Sequence, residues 1–563
     1  MRNEPPHGVR TTALAGGFGL LLLGGAAFGP RQAGETARGV VFEDRDGDGQ
    51  RGVDEPGIAG VRVSDGEEVT VTDEEGRWSL SVGDEAVLFI TKPSGYAVSL
   101  SADNLPRFYY VHQPAGSPAG LRYPGVEPTG PLPASIDFPL VRRDEPAAFD
   151  VLLFADPQPQ TEAELDYIRE DVLDELIDSG AAFGMTLGDI LFDDLSLFPR
   201  YVALVGGLGI PWYNVPGNHE LNFEADGDRH SLETFKRYFG PPYYSFEHGE
   251  AVFLVLDNIE YQGGGASDPG DVRGNGGYVA RIGERQLAWL ERELSHVPAE
   301  KLVVLAMHAP LASYVSPHST GVNTQDRDEL FRILAGRPNL YSMAGHTHTT
   351  EHVYFGEEDG FPGPGELHHH VLTTVSGSWW SGPFDERGVP TSLQRDGTPN
   401  GYHVLHIDGA EVKASFRAAG QPADHQMRIV LDVAHHGLGR DGLRDFRWGE
   451  LFDGRLSVDA VPAAELLVNL FDGGPRSRVA LRIGDREPLP MRRVKRRDPY
   501  AIEVFVRNED TKKSWVNAEP SSHLFAVDLP DDLAPGVHVA RVLAIDEFGR
   551  EHRASALIEV TGR

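Results

Sequence analysis

The sequence predicts a multidomain protein in which a central α/β domain is flanked by an N-terminal and a C-terminal β-sandwich domain. At 563 residues the chain is too long for one hydrophobic core. Short alternating strands separated by Gly and Asp turns fill residues 35–143, whereas buried strands alternate with amphipathic helices over residues 147–410. Strand-like segments, including IEVFVRN and HVARVLAIDEFGREHRASALIEV, return over residues 411–563.

Composition excludes two broad classes of protein. The chain has 51 basic and 85 acidic residues, and its formal charge of -34 argues against a nucleic-acid-binding surface. Hydrophobic residues make up 40% of the chain, too few for an integral membrane bundle. Because the chain has no cysteine, its stability cannot depend on disulfides.

Residues 1–34 have the character of a signal peptide or an N-terminal anchor. Arg2 and Arg10 precede the apolar stretch TALAGGFGLLLLGGAAFG, whose length and glycine content are typical of a signal-peptide core. We therefore expect an exported protein, periplasmic or extracellular, without a stable membrane span after processing. The oligomeric state is not indicated by the sequence.

The N-terminal β-sandwich carries an acidic loop near its first strand. Asp44, Asp46, Asp48 and Glu55 fit the DxDxDGx5E spacing, in which oxygen ligands at alternate positions converge on one Ca²⁺ ion. The flanking segments are strands rather than the helices that usually accompany this spacing. Two readings remain open, a calcium loop or a solvated acidic turn.

The central domain alternates strands and helices in chain order. We expect a buried strand at 149–155, a helix at 162–179 that ends at Gly180, and a strand at 182–187. A helix near 195–205, strands at 210–215 and 251–256, a helix at 284–294, and strands near Leu302 and Leu340 follow. This alternation is typical of an α/β domain.

Polar motifs follow the predicted strands at their carboxyl ends. They read ADPQ, GDILFDD, GNHE, LDN, MHAP and GHTH in chain order. Because open α/β sheets build their sites at this edge, we expect the motif side chains to meet there. Carboxylates, an amide and imidazoles are ligands for Zn, Mn, Fe or Co. The predicted ligands are Asp156, Asp189, Asn218, His308, His346 and His348.

The ordered motifs resemble those of the calcineurin-like metallophosphoesterase family across residues 149–408. The resemblance implies a central α/β metallophosphoesterase sandwich, and the flanking β-rich segments resemble a bacterial branch of that family. It also implies a binuclear metal-dependent phosphoesterase that hydrolyses phosphomonoesters or phosphodiesters with a metal-bound hydroxide. The family's histidine in the first motif is replaced here by Gln158, a poorer ligand than imidazole, as in DPQ variants.

The resemblance also implies individual roles. Asp156 and His348 would hold one metal, with Gln158 either coordinating it or bonding a water on it. Asn218, His308 and His346 would hold the second metal, and Asp189 would bridge both. His219 would act on the leaving oxygen or support the ligands. Asp193 either orients a histidine or is a solvated turn acid.

Two further sequence features and one alternative function complete the predictions. Trp379 and Trp380 either line the substrate cleft or pack between domains. The run from His368 to His370 is interpreted as structural, because adjacent side chains alternate across a strand. A second functional hypothesis is a catalytically silent surface binding protein whose calcium-stabilised β-modules do the binding. The completeness of the motif set favours the enzyme.

Overall fold

A computed structural model describes residues 34–263, 277–432 and 454–562. Within these ranges no helix has both the length and the apolar character needed to cross a membrane. The predicted signal peptide or anchor, apart from Gly34, lies outside the described residues.

The N-terminal part contains two four-stranded sheets. Their strands are β1 Glu35–Glu43, β2 Arg62–Ser64, β3 Val69–Val71, β4 Arg77–Val82, β5 Ala86–Ile90, β6 Tyr96–Val98, β7 Tyr109–His112 and β8 Phe138–Arg142. The first sheet has the order β4-β1-β8-β6 and the second β3-β2-β5-β7. In β4 the side chains of Trp78, Leu80 and Val82 are buried while the intervening ones are exposed, as the alternation predicts.

The central part contains two larger sheets and one hairpin. Its strands are β9 Ala148–Phe154, β10 Phe183–Leu187, β11 Trp212–Val215, β12 Tyr244–His248, β13 Ala251–Val255, β14 Ile259–Tyr261, β15 Tyr278–Ala280, β16 Leu302–Ala306, β17 Leu340–Ala344, β18 Glu351–Phe355, β19 Leu367–Val371, β20 Gly401–Asp408 and β21 Glu411–Ala418. One sheet has the order β11-β10-β9-β20-β21 and the other β12-β13-β16-β17-β19-β18. Strands β9, β10 and β11 are parallel, as are β13, β16, β17 and β19.

Five α-helices accompany these sheets: α1 Glu162–Ile168, α2 Phe198–Gly206, α3 Glu233–Phe239, α4 Glu284–Ser295 and α5 Arg327–Leu334. Thr161 caps α1 by accepting a hydrogen bond from the Glu164 N–H. The helix predicted at 162–179 is α-helical only in α1 and continues as a π turn and a 3₁₀ turn to Leu176. Helix α4 matches its prediction to within one residue at its end.

The described residues of the C-terminal part form two sheets and one α-helix. Its elements are β22 Met427–Asp432, β23 Arg455–Ser457, β24 Glu465–Leu470, β25 Arg478–Ile483, β26 Leu489–Pro490, β27 Arg492–Arg497, α6 Pro499–Arg507, β28 Pro520–Asp528, β29 Gly536–Ile545 and β30 Glu551–Thr561. The sheets have the orders β22-β24-β28-β27 and β23-β30-β29-β25-β26. Residues from both sheets form one hydrophobic cluster.

The prediction of a strand at IEVFVRN is wrong, because this segment is the body of α6. Asp498 caps the helix by accepting from the Tyr500 N–H, and Pro499 occupies the first turn, where a missing N–H costs nothing. Ala501, Val504 and Phe505 are buried at the i, i+3, i+4 spacing. The alternation of apolar residues was compatible with either element, and the cap decides it.

The N-terminal sheets are joined to the central domain through a buried carboxylate on α4. Glu293 is fully buried, and its Oε1 lies 2.8 Å from Arg62 Nε and accepts hydrogen bonds from the hydroxyls of Thr91 at 2.8 Å and Ser245 at 2.6 Å. The Arg62 N–H is not aimed at this oxygen, so the contact is an ion pair rather than a hydrogen bond. Arg62 also pairs with Glu247 at 2.8 Å.

We predict that Glu293→Ala lowers the free energy of unfolding by about 3 kcal/mol, because it leaves the buried Arg62 short of a partner. The control is Glu291→Ala on the same helix, where an exposed pair with Arg332 should change stability by less than about 1 kcal/mol. Chemical denaturation monitored by circular dichroism measures both. Equal stability of the two variants would contradict the role given to Glu293.

Candidate metal centre

Five of the predicted ligands lie two or three residues beyond the ends of parallel strands. Asp156 follows β9, Asp189 follows β10 and Asn218 follows β11 in one sheet. His308 follows β16 and His346 follows β17 in the other. The carboxyl ends of both sheets meet, so the structure brings together side chains that are far apart in the sequence.

The tightest part of this cluster surrounds His308 Nε2. Asn218 Oδ1 and His346 Nδ1 both lie 3.1 Å from this nitrogen, and Asp189 Oδ1 lies 3.2 Å from it. His308 Nδ1 donates to the Leu187 carbonyl at 2.9 Å, which leaves a lone pair on Nε2.

These separations fit a divalent cation. A tetrahedral ion at about 2.0–2.1 Å from its ligands holds neighbouring ligand atoms about 3.3 Å apart. His308 Nε2 and the three atoms around it can each donate a lone pair to a metal, and without a shared proton or cation they would repel one another. Asp189, His308 and His346 offer ligand atoms that all lie within 4.8 Å of one another.

A second group of ligands lies beside the first. His348 Nε2 is 3.7 Å from Asp156 Oδ1, and His348 Nδ1 donates to the Gly377 carbonyl at 2.5 Å. The proton therefore resides on Nδ1, and the buried Nε2 has no hydrogen-bond partner among the described residues. Both oxygens of Asp156 accept from the His346 N–H, at 3.0 and 2.9 Å. The orphaned nitrogen is compatible with a metal at this position.

Gln158 lies inside the same buried group. Its amide nitrogen donates to Asp189 Oδ2, and its backbone N–H donates to the Asp189 carbonyl at 3.2 Å. Its Oε1 is buried and has no partner within the part of the chain that the structure describes. The side chain thus ties down the carboxylate predicted to bridge the metals and keeps one oxygen available.

His219 lies at the open side of the cluster. Its side chain is 19% exposed, whereas those of Asp189 and His308 are almost fully buried. His219 Nδ1 and Asp193 Oδ1 are 2.6 Å apart, so Asp193 orients the ring and is not a freely solvated turn acid. The other ring nitrogen, Nε2, is 3.8 Å from Asp189 Oδ2.

Aromatic side chains surround this open side, and the sequence analysis missed two of them. Phe192 stacks on His219 with ring centroids 4.3 Å apart, and Trp515 from the C-terminal part lies 6.1 Å from Phe192. Trp379 stacks on His348 at 3.8 Å and lies 6.3 Å from Trp515. Trp380 instead is buried and donates to the Pro157 carbonyl, which is a packing role. Phe192 lies within the GDILFDD motif, whereas no local sequence pattern singles out Trp515.

The motif loops require an unusual backbone. Asp156, Asp189, His346 and His348 all have positive φ, with values of 45°, 48°, 77° and 52°. Residues other than glycine rarely adopt this backbone conformation, and such backbone strain is concentrated at functional sites. A Cβ atom at Gly217 would lie 2.2 Å from the Asp189 backbone nitrogen, so the close approach of these loops requires glycine there.

Buried polar residues hold the loops in register. Asn258, from the LDN motif, accepts a hydrogen bond from the His308 N–H at 3.3 Å. Glu220, from the GNHE motif, accepts from the Leu191 N–H at 3.1 Å and the Gly217 N–H at 2.8 Å. Burial raises the pKa of Glu220 to about 8. These contacts fix the loops that carry the predicted ligands.

Burial and neighbouring charges shift the pKa values of the clustered side chains in different directions. Burial, reinforced by the Asp189 charge, raises the pKa of Asp156 to about 7. Burial opposes ionisation of Asp189 as well, but the charges that His308 and His219 carry when they are protonated outweigh it and lower its pKa. Burial lowers the pKa of His348 to about 3, which keeps this imidazole in the neutral form that binds metals.

The acidic loop of the N-terminal part brings three of its four predicted ligands together. Asp44, Asp46 and Asp48 offer oxygens within 4.8 Å of one another. Asp44 also accepts from the Gly47 N–H at 2.7 Å. Glu55 instead accepts from the backbone N–H groups of Arg45 and Gly52, both at 2.7 Å, and so closes the turn. The loop geometry is compatible with either reading of the sequence.

Each of the three parts of the chain matches a model of a known protein family. Residues 149–350 match the family model described as calcineurin-like phosphoesterase. Residues 46–123 and 369–552 match the models for the N terminal and the C terminal of calcineurin-like phosphoesterase.

Two individual proteins are similar over part of the chain. A probable glycerophosphodiester phosphodiesterase GpdQ from Arcobacter nitrofigilis is 27% identical over 158 residues, which are 28% of this chain and 51% of that protein. The chain thus spans about half the length of this curated relative. The structure of a purple acid phosphatase from yellow lupin, Lupinus luteus, has 13% sequence identity and a TM-score of 0.35, with 64% of this chain and 67% of that chain covered.

We predict that Ca²⁺ raises the melting temperature of the full chain, because a ligand that binds only the folded state stabilises it by about 2.7 kcal/mol at 100 times its dissociation constant. Asp46→Asn should abolish the difference between Ca²⁺ and a chelator, whereas Asp84→Asn, an exposed acid of the same part, should preserve it. Differential scanning calorimetry measures the shift. Identical melting curves of the unsubstituted protein in both conditions would identify the loop as a solvated turn.

Proposed function

The chain belongs to the calcineurin-like phosphoesterase family of metal-dependent phosphoester hydrolases, and from this premise we propose that it hydrolyses phosphodiesters at a binuclear metal centre. The observation that carries the proposal is the convergence of lone pairs from Asp189, Asn218 and His346 around His308 Nε2. Phosphomonoesters are the alternative substrates. The family membership argues against a catalytically silent surface binding protein.

We propose the following assignment of ligands. Asp156 and His348 would hold one divalent cation, and the unpartnered oxygen of Gln158 would either coordinate it or hydrogen-bond a water on it. Asn218, His308 and His346 would hold the second. Asp189 lies between the two groups and would bridge them. Mn, Fe, Zn or Co suit this mixture of ligands, and such cations would acidify a water molecule and polarise the ester.

His219 is the residue that we propose to act on the leaving oxygen. His219 Nδ1 donates a hydrogen bond to Asp193 Oδ1, and Nε2 faces the cluster, as a proton donor to the leaving oxygen requires. Stacking on Phe192 holds the ring from its other side. Because His219 is partly exposed, a substrate would be able to contact it, whereas the predicted metal ligands beside it are buried.

Two observations favour diesters over monoesters. The partly similar relative from Arcobacter nitrofigilis is a probable glycerophosphodiester phosphodiesterase. The aromatic wall of Phe192, Trp379 and Trp515 beside His219 would contact the organic group of the ester rather than an additional phosphate charge. A diester carries an organic group on either side of the phosphorus and benefits most from this wall.

We propose domain limits of 35–143 for the N-terminal β-sandwich and 147–418 for the phosphoesterase domain, with the C-terminal β-rich domain following. The limit expected between residues 410 and 411 is wrong, because β21 pairs with β20 in a central sheet. The paired sheets at either end of the chain support this division. The signal-like residues 1–34 support export to the periplasm or the extracellular space. The formal charge of -34 argues against nucleic acid as a partner.

We predict that Asn218→Ala and His308→Ala each reduce bound metal and lower hydrolysis of bis(p-nitrophenyl) phosphate by at least about 100-fold, because each removes a ligand. The control is His296→Ala, an exposed histidine after α4 that should retain both metal and activity. Metal analysis and initial rates measure the two effects. Full activity with full metal content in either ligand variant would contradict the assignment, and faster hydrolysis of p-nitrophenyl phosphate would select the monoester alternative.

We predict that the protein purified without added metal is only partly active and that Mn²⁺ or Co²⁺ raises its activity, because an amide oxygen at Gln158 is a weaker ligand than imidazole. Gln158→His should tighten this site and reduce the dependence on added metal, as measured by activity titrations against each ion. Two tightly held ions in the unsubstituted protein, with no change of affinity in the variant, would refute the weak-site hypothesis.

A further inference from the structure

The larger sheet of the C-terminal part has one open face. Its other face contributes buried side chains, such as Leu481, Val542 and Ile558, to the hydrophobic cluster of this part. Because side chains alternate along a strand, the residues between them point the opposite way. This outer face consists of Arg478, Ala480 and Arg482 of β25, Val537, Val539, Arg541, Leu543 and Ile545 of β29, and Glu551, Arg553, Ser555, Leu557 and Glu559 of β30. All of these side chains are exposed or half-buried, so the described residues leave the outer face open to a partner.

Arginines are concentrated at the centre of the outer face. Arg482 lies directly opposite Arg541 on the neighbouring strand, and Arg553 lies opposite Leu543, two residues along from Arg541. Arg482 and Arg541 make no side-chain hydrogen bond or ion pair with any described residue, whereas Arg553 pairs with Glu551 at 2.8 Å. Like charges directly opposite each other repel, so this arrangement favours an anion between the two guanidinium groups.

The three arginines line a shallow depression of about 370 Å³ in the outer face. Ala480 and Leu543 give the depression apolar walls, Pro488 borders it, and Ser555 lines it with a hydroxyl. A guanidinium presents its N–H groups in a planar fork that matches two oxygens of a phosphate group. The depression therefore fits a phosphate group that is attached to an apolar body.

An apolar patch continues the outer face towards the beginning of β29. The side chains of Val537 and Leu557 are 65% and 62% exposed, and Val539 lies directly opposite Leu557. The acid nearest in register, Glu559, lies opposite Val537 and pairs with Arg455 at 3.3 Å. Exposed apolar side chains next to basic ones are typical of surfaces that bind at a membrane interface.

We propose that the outer face docks onto an anionic phospholipid surface. Arg482, Arg541 and Arg553 contact the lipid phosphates, while Val537 and Leu557 enter the headgroup layer. Charge complementarity supports this partner, because a chain of formal charge -34 is repelled by an anionic surface except where positive charge is concentrated. Beyond about 8 Å, physiological salt screens the acids on the rest of the molecule. A soluble polyanion would use the arginines but leave the apolar patch in water, so a lipid surface matches the outer face better.

The test is co-sedimentation of the full-length protein with phosphatidylglycerol or phosphatidylcholine vesicles. The protein should bind the anionic vesicles and not the zwitterionic ones, and binding should weaken as salt is added. Arg482→Gln combined with Arg541→Gln should weaken binding about 30-fold, because each arginine near an anionic surface contributes about fivefold. The matched control, Arg493→Gln combined with Arg497→Gln, removes two exposed arginines from the other C-terminal sheet and should bind like the unsubstituted protein.

A second double variant, Val537→Ser with Leu557→Ser, should also weaken vesicle binding, because it removes the apolar contact with lipid. The proposal is overturned if the unsubstituted protein does not bind phosphatidylglycerol vesicles, if the arginine variant binds equally well, or if the control loses binding to the same extent. Unchanged vesicle binding by the apolar variant would identify the outer face as a site for soluble polyanions. Self-association of the chain that the arginine variant abolishes, without vesicle binding, would identify a second copy as the occupant. Both of these outcomes also overturn the proposal.

Two features of the design keep the result specific to the outer face. All variants share residues 1–34, so this apolar segment cannot cause a difference between them. The outer face contains none of the predicted metal ligands, so either result leaves the proposed phosphodiesterase activity to be judged separately.

Discussion

The structure depends on one constraint, the enclosure of several lone-pair donors in one small buried volume. Asn218 Oδ1, His346 Nδ1 and Asp189 Oδ1 lie 3.1, 3.1 and 3.2 Å from His308 Nε2. Such an arrangement is unfavourable unless protons or cations lie between the atoms. The parallel strand ends, the positive-φ loops and the glycines at close contacts all serve to hold these donors in position against that repulsion.

The flanking parts are bound to the catalytic part through buried polar groups as well as through apolar packing. The N-terminal sheets contribute Arg62 to the carboxylate of Glu293, and both side chains are largely removed from water. The C-terminal part contributes Asp472, which accepts hydrogen bonds from His352 and His370, and Trp515, which lies beside Phe192. Because a buried charge without a partner costs several kcal/mol, these contacts strongly favour one relative arrangement of the parts.

Local pattern predicted much of the fold and the approximate position of the candidate site. The strand before Asp156 and the helix over Glu284–Ser295 were recognisable because their periodicities are distinct. Where one pattern suits two elements, prediction failed: IEVFVRN alternates like a strand, yet the cap at Asp498 makes it a helix. After Ile168 the α-helix that begins at Glu162 becomes a wider π turn and then a tighter 3₁₀ turn. The spacing of the apolar residues does not indicate this change.

The sequence by itself determined the chemical type of each predicted ligand and its position at a strand end, because both are local properties of a short motif. Tertiary structure decided which groups meet. It pairs His219 with Asp193, stacks Trp379 on His348, and brings Asp472 to histidines 102 and 120 residues away in the chain. Such contacts are set by how sheets and domains pack, and packing depends on the whole set of buried surfaces rather than on any one segment.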